Sequence, residues 1–298
     1  MANEASPVRI LLTGGSGLLG GACRDLLVAR GMHVSAPSSK ELDIRDRESI
    51  KGWMDRKYDW CVNCAAFALF NLVERSPSHA LETNALGPKY LAEASRVTGT
   101  RLIHISTDFV FGGVSDVPYC ESSETNPLSV YGRTKLLGEG YVLENAPDSL
   151  VVRTSWLFGL HGLCFPRSIL EQWYSGGNLR VVADQFGTPT STLELARVLA
   201  DLVDLNPKAG VLHAAGSEVM SWWDFANRVV RIRADQLGIT PPAIEPIHTD
   251  AWPAAALRPR FSALASNQLT RLGIVPMKPL NQTLEQFCTD FGGGPRHG

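Results

Sequence analysis

The stretch VRILLTGGSGLLGG, residues 8–21, decides the fold. Its first part, VRILLT (8–13), is a short apolar run of the kind buried on both faces of a parallel sheet. Gly14, Gly17 and Gly20 then follow in a G-x-x-G-x-x-G pattern. Glycine is required where a backbone turns tightly and must approach a pyrophosphate closely. The segment LLGGACRDLLVARG after it reads as a helix closed by Gly31, whose first N–H groups and positive dipole end would face that charge. A strand before the glycines and a helix after them make this a predicted dinucleotide site rather than a structural turn.

Working outward, strands alternate with helices. HVSA (33–36), WCVNCAA (60–66), RLIHIS (101–106) and SLVVRTSW (149–156) read as further strands. Helices are predicted from Arg47 to Arg56, as one long unit across HALETNALGPKYLAEASRVT, and from Ser129 to Asn145. This order predicts an α/β fold, a Rossmann-type doubly wound parallel sheet. After Trp156 the texture changes to Gly, Pro and Trp with unpatterned stretches, although TLELARVLADLVDL and GVLHAAG (210–216) continue the strand and helix rhythm. The expected organisation is a dinucleotide-binding domain of 1–156 plus about 190–216, and a smaller, discontinuous substrate domain of about 157–189 plus 217–298. The tail GGGPRHG is expected to be disordered.

Composition narrows the function classes. The 298 residues carry 28 Lys plus Arg against 30 Asp plus Glu, a net charge of -2, which advertises neither nucleic acid nor an anionic membrane as partner. The start, MANEASPVRI, lacks a secretory pattern, and no apolar run approaches the roughly 20 residues that span a bilayer, so a cytoplasmic location is expected. Six cysteines are scattered along the chain; the one close pair, Cys61 and Cys64, lies in the apolar run WCVNCAAF and reads as buried thiols, and no metal site is expected.

At the end of the second strand, where a carboxylate would hydrogen-bond the ribose of NAD, stand Pro37, Ser38, Ser39 and Lys40. Hydroxyls and an ammonium suit a 2′-phosphate, so NADP(H) is the expected cofactor and NAD(H) the alternative. Asp43, further on, reads as an adenine-side carboxylate or a helix cap. The strand RLIHIS delivers Ser106, Thr107 and Asp108 to its C-terminal end, where ligands bind in such sheets. Some two dozen residues later comes YGRTK, in which Tyr131 and Lys135 share a helix face. A cation beside a phenol favours its ionised form and tunes it to give a proton to a carbonyl oxygen.

Taken together, TGGSGLLGG, ELDIRD, VNCAAF, ETNALGPKYLAEAS, HISTDFVFGG, ESSETNPLSVYGRTKLLGE, VVRTSWLFG, VVADQFGTPTSTLELARVL, VLHAAGSEVMSWWDFA and RPRFSAL resemble the dTDP-4-dehydrorhamnose reductases of the extended short-chain dehydrogenase/reductase superfamily. The resemblance implies an NADPH-dependent reduction of the C4 carbonyl of a dTDP-4-keto-6-deoxysugar. It implies a catalytic trio of Thr107, Tyr131 and Lys135. Cofactor contacts are implied for Gly14, Ser16, Gly17, Leu18, Leu19, Gly20, Ser38, Lys40, Asp43, Ile44, Ala65, Ala66, Asn84, Ser106, Tyr131 and Lys135. Substrate contacts are implied for Thr107, Trp156, Gln185, Thr188 and Arg258, the last as a cation for the diphosphate. Asn84 reads equally as a residue that pins backbone, Trp156 as core, and Arg258 as a solvated surface arginine. A homodimer is compatible with these readings.

The chain departs from the family pattern near the expected sugar pocket. Phe67, Ala68 and Asn71 stand where Tyr, Thr and Asp are usual, Cys164 replaces an asparagine, and Phe261 replaces the asparagine of the RP-x-N-S motif. Each change removes hydrogen-bonding capacity, which points to a less polar sugar nucleotide. Two alternatives stay open: a non-catalytic NADP-binding subunit like the regulatory subunit of methionine adenosyltransferase, and a sugar-nucleotide epimerase or dehydratase of the same fold. Against a dehydratase, Asp108 is followed by Phe109 rather than by a second acid.

Overall fold

The computed structural model describes residues 6–252 and 256–294. Its centre is a six-stranded parallel sheet. Five strands come from the stretch up to Thr154: β1 (Arg9–Thr13), β2 (His33–Ser35), β3 (Trp60–Asn63), β4 (Arg101–Thr107) and β5 (Leu150–Thr154). The strand Gly210–His213 pairs with β5 and closes the order Gly210–His213, β5, β4, β3, β1, β2. The chain therefore builds outward from β1 in one direction to β2 and then in the other through β3, β4 and β5. The reversal lies between β1 and β3, and a crevice for a ligand opens there at the C-terminal ends of the strands.

Both faces of the sheet are covered, which is why its strands read as continuous apolar runs. Ile10 and Leu12 of β1 face one core with Leu19, Cys23 and Leu27 of the helix Leu18–Ala29 and Leu195, Leu199 and Leu202 of the helix Thr192–Leu205. Leu11, between them, faces the other core with Ile50, Met54, Leu91 and Val142. Alternation of side chains along a strand produces this division.

The expected long helix across residues 79–98 is broken into three pieces: Pro77–Leu81, a π-helical turn over Glu82–Leu86, and Gly87–Thr98. Pro88 has no N–H to give the Asn84 carbonyl four residues back, which accounts for the wider turn. The apolar spacing across residues 79–98 runs through Pro88 unbroken, so the break is visible only in the backbone.

Beyond Trp156 the described residues form three two-stranded sheets, pairing Met220–Ser221 with Phe186–Gly187, Ile244–Ile247 with Leu179–Val182, and Leu157–Phe158 with Thr190–Ser191. The helices Phe165–Tyr174, Trp222–Leu237 and Leu280–Phe291 pack on them through Leu170, Phe225, Val229, Leu284 and Phe287. Residues 295–298 of the tail expected to be disordered lie outside the described residues, while Gly292–Gly294 follow the last helix and the Gly293 carbonyl accepts from Arg233. Among the described residues no helix is long and apolar enough to cross a membrane.

Candidate active site

The glycine loop forms a cradle without side chains. Gly14 has φ +69, a conformation that favours glycine, and a Cβ on it would meet the Ala65 nitrogen at 2.6 Å. A Cβ on Gly20 would collide with the Gly14 carbonyl oxygen, and one on Gly17 would lie 3.2 Å from the same atom. Gly17 is the N-cap of the helix Leu18–Ala29 and has no side chain to cap it, so the N–H groups of Leu18, Leu19 and Gly20 form an uncapped helix start beside Ser16. The ends of β1 and β3 converge on this point through Gly14 and Ala65, with Ala66 exposed next to it. These residues fit a pyrophosphate: backbone donors, a helix dipole and room for an anion.

At the end of β2 the structure adds a residue that the sequence reading passed over. Glu41 folds back so that both the N–H and the hydroxyl of Ser38 donate to its carboxylate, each at 2.8 Å. These bonds hold Glu41 below its ordinary range. A carboxylate does stand at this strand end, brought there by a turn rather than by the strand itself. Lys40 is exposed alongside. Asp43 is engaged by Arg45 at 2.6 Å and its pKa is lowered chiefly by that bond, while the cap of the following helix is Asp46, which accepts from Glu48 N. The capping alternative for Asp43 is corrected accordingly. Ile44 is buried, and its side chain would touch a Cβ on Gly87 at 2.8 Å.

The strand β4 ends at Thr107, whose hydroxyl donates to Asp108 Oδ1 at 3.0 Å and accepts from Phe109 N at 3.2 Å. Across from it the helix Val130–Asn145 begins, capped by Ser129 and held at Val130 N by Glu74 at 2.7 Å. Gly132 lets this helix start against Phe109, because a Cβ there would collide with the Phe109 carbonyl oxygen. The close approach puts Tyr131 next to Thr107 and sets Lys135 one turn deeper, with Nζ donating to the Ile105 carbonyl at 2.6 Å.

Burial governs the electrostatics. It pushes the Tyr131 phenol above its ordinary value, with Thr107 acting in the opposite direction; the expected lowering by Lys135 is corrected, because burial outweighs it and Lys135 Nζ is engaged by the Ile105 carbonyl, and the phenol keeps its proton at neutral pH. Burial also lowers Lys135 to about 8, with Glu139 and Cys64 opposing it. Asp108 is raised to about 7 by burial, against the pull of hydrogen bonds from Ser262, at 2.5 Å, and Thr107. The Tyr131 ring is walled by Phe70 at 5.0 Å and Phe109 at 5.8 Å, both edge to face. Arg258 lies 5.6 Å over Phe70, partly buried, and its Nε has no hydrogen-bond partner among the described residues.

Other expected site residues lie in the scaffold. The Ser106 hydroxyl donates to Glu139, which is bound by Arg153. Asn84 is fully buried, accepts from Phe67 N at 2.8 Å and donates to Phe67 O at 2.9 Å, which makes it a clamp on backbone. Gln185 donates to Thr249, and the Thr188 hydroxyl meets that of Ser155 at 2.7 Å; both residues are buried. Trp156 has φ +45, a left-handed conformation uncommon for its type, and its ring stacks on Trp222 at 3.4 Å. Three residues that the motifs contain without singling them out belong to this region: Glu41, Ser262 and His104. The signal for His104 was a lone polar residue inside the strand RLIHIS.

Residues 8–292 match the family model of the RmlD substrate binding domain. The chain belongs to this family. Among relatives in the RmlD family, a dTDP-4-dehydrorhamnose reductase of Mycolicibacterium smegmatis is 37% identical, covering 97% of this chain and 88% of that one. A dTDP-4-keto-6-deoxy-D-glucose reductase of Streptomyces niveus is 38% identical over 93% of this chain and 96% of that one. A solved dTDP-4-dehydrorhamnose reductase of Bacillus anthracis, in complex with NADP, superposes with a TM-score of 0.89 at 28% identity, covering 95% and 99% of the two chains. The fold expectation is thereby met: the RmlD-family chain is a Rossmann-type α/β protein with a parallel central sheet. Of its departures from the family pattern, Ala68 is exposed, Cys164 packs in the core around Phe158 and Leu170, and Phe261 packs against Val110 and Phe111.

Proposed function

We propose that this chain is an NADPH-dependent ketoreductase that reduces the C4 carbonyl of a dTDP-4-keto-6-deoxysugar. The observation that carries the reading is the convergence of Thr107, Tyr131 and Lys135 at the end of β4, on the same edge of the sheet as the side-chain-free glycine cradle. The names of the reductase relatives and the NADP in a solved neighbour support it.

Bound NADPH would supply hydride to the sugar carbon. The chain supplies the rest. The glycine loop and the uncapped helix start hold the pyrophosphate, and Ser38 and Lys40 take the 2′-phosphate. Tyr131, kept protonated by burial, gives its proton to the carbonyl oxygen. Thr107 holds that oxygen once its hydroxyl turns from Asp108. Lys135 holds the nicotinamide ribose and stabilises the phenolate left behind. Arg258, with an unpartnered Nε, binds the diphosphate of the substrate. We assign residues 1–156 plus about 190–216 to the dinucleotide-binding domain and the remainder to the substrate domain. The aromatic wall of Phe70 and Phe109 favours a sugar with a deoxygenated, apolar flank.

The test follows NADPH absorbance with dTDP-4-keto-6-deoxyglucose and its 3,5-epimer offered separately. Turnover with either is expected, and Tyr131→Phe should lower kcat by about 10²–10⁴ while leaving NADPH affinity unchanged. Cofactor binding with no reduction of any 4-keto sugar nucleotide would overturn the reading in favour of a binding role.

A further inference from the structure

Thr13, Asn63 and His104 occupy directly paired positions on β1, β3 and β4. Their side chains form one hydrogen-bonded row. The Thr13 hydroxyl donates to Asn63 Oδ1 at 2.6 Å, Asn63 Nδ2 lies 2.9 Å from His104 Nδ1, and His104 Nε2 lies 3.3 Å from Lys135 Nζ. None of the four residues is more than 2% exposed.

The direction of the row follows from one backbone group. The Ala65 N–H, which can only donate, points at a single side-chain atom of Asn63 at 3.2 Å, so that atom is the oxygen. The Asn63 amide nitrogen therefore faces the ring and donates to Nδ1. A neutral imidazole that accepts at Nδ1 carries its proton on Nε2. His104 is held neutral, well below its ordinary pKa, by burial and by the neighbouring Lys135. The Nε2–H is thus aimed at Lys135 Nζ. An ammonium has no lone pair to receive it, whereas an amine does.

We propose that His104 is a positioning residue for Lys135: through a tautomer fixed by Asn63, it aims an N–H at Nζ and so favours the amine over the ammonium. The inference rests on the reading of Lys135 as part of the catalytic trio. Lys135 also donates to the Ile105 carbonyl, which the amine can do as well as the ammonium. The other charged or titratable groups around it are Glu139 and Tyr131 on its own helix, Cys64 after β3, and Asp108 after β4. Glu139 favours the ammonium, but its carboxylate is already occupied by Arg153 and Ser106. Burial acts in the same direction as His104. Thr13 directly precedes Gly14, so the row joins the strand that carries the cofactor loop to the lysine.

The experiment uses the full chain without cofactor, labelled with ¹⁵N and ¹³C. The ¹⁵N shifts of His104 should show a bare Nδ1 and a protonated Nε2, and the ¹³Cε resonance of Lys135 should titrate at least about one unit below the ordinary ~10.4. His104→Leu should move the lysine midpoint upward by about one unit or more, and the alkaline limb of kcat/KM for the reduction should move with it. Should His104→Leu fail to fold, Asn63→Asp presents a carboxylate to the ring, transfers the proton to Nδ1 and should raise the same midpoint. A proton on Nδ1 in the unaltered protein, or a lysine midpoint that neither substitution moves, overturns the proposal. The expected tautomer and titration in a chain that reduces no sugar would uphold the coupling and overturn the catalytic reading instead.

Discussion

The Arg153 guanidinium holds the Glu139 carboxylate at 2.9 Å through Nε and 2.7 Å through Nη2, with both side chains buried between β5 and the helix that carries Tyr131 and Lys135. Ser106 donates to the same carboxylate, and Arg153 Nη1 lies 3.4 Å from His213. Breaking such a pair leaves one charge uncompensated in the interior. Arg153→Met is expected to cost about 3–5 kcal/mol, and Arg153→Met with Glu139→Leu to recover most of it. Urea unfolding of the two variants checks this; equal losses would show that the pair is not balanced by mutual attraction.

Gly20→Ala tests the cradle. Its Cβ would run into the Gly14 carbonyl oxygen, so the loop must open to admit it. NADPH affinity should fall at least about tenfold, a loss of ~1.4 kcal/mol, in a protein that still folds. Gly52→Ala is the control: its Cβ meets nothing within 4 Å in the helix Arg47–Met54, and about 0.5–1 kcal/mol of added stability is expected. Calorimetric titration and thermal unfolding read the two effects.

Asp108 gives a pH signature. Its folded pKa is raised to about 7, above the ~3.9 of an unfolded aspartate, so between those values the folded state binds more protons and stability falls as pH rises. Asp108→Asn removes this loss. The variant should therefore gain on the parent protein between pH 5 and pH 8, by a few kcal/mol at most, with its Tm changing less across that interval. Thermal scans at about both pH values decide it, and parallel curves would exclude Asp108 as the titrating group.

Glu41 bears on cofactor choice. Its carboxylate is fixed on Ser38, where a 2′-phosphate would bring a like charge. Glu41→Gln should improve NADPH over NADH by about fivefold, the ~1 kcal/mol expected for one charge pair at such range in water. Comparison of kcat/KM for the two cofactors measures the shift, and no change would place the 2′-phosphate elsewhere.

What could be read along the chain was set by local rules. The apolar runs of β1, β3, β4 and β5 follow from burial on both faces of a parallel sheet, and the spacing of Gly14, Gly17 and Gly20 follows from a backbone that must come within reach of Ala65 and of itself. Tyr131 and Lys135 share a face because a helix repeats every 3.6 residues. Only the tertiary structure decided what those residues meet. Glu41 reaches Ser38 through a turn, Ser262 reaches Asp108 across 154 positions, and Asn63 meets His104 because their strands happen to be neighbours in register. The π-helical turn follows locally from Pro88, but that it carries Asn84 onto Phe67, and that Trp156 adopts a left-handed conformation against Trp222, is decided by packing. Sequence fixes which groups can ionise or turn; burial and register, which depend on partners far along the chain, fix which of them hold a proton and where it points.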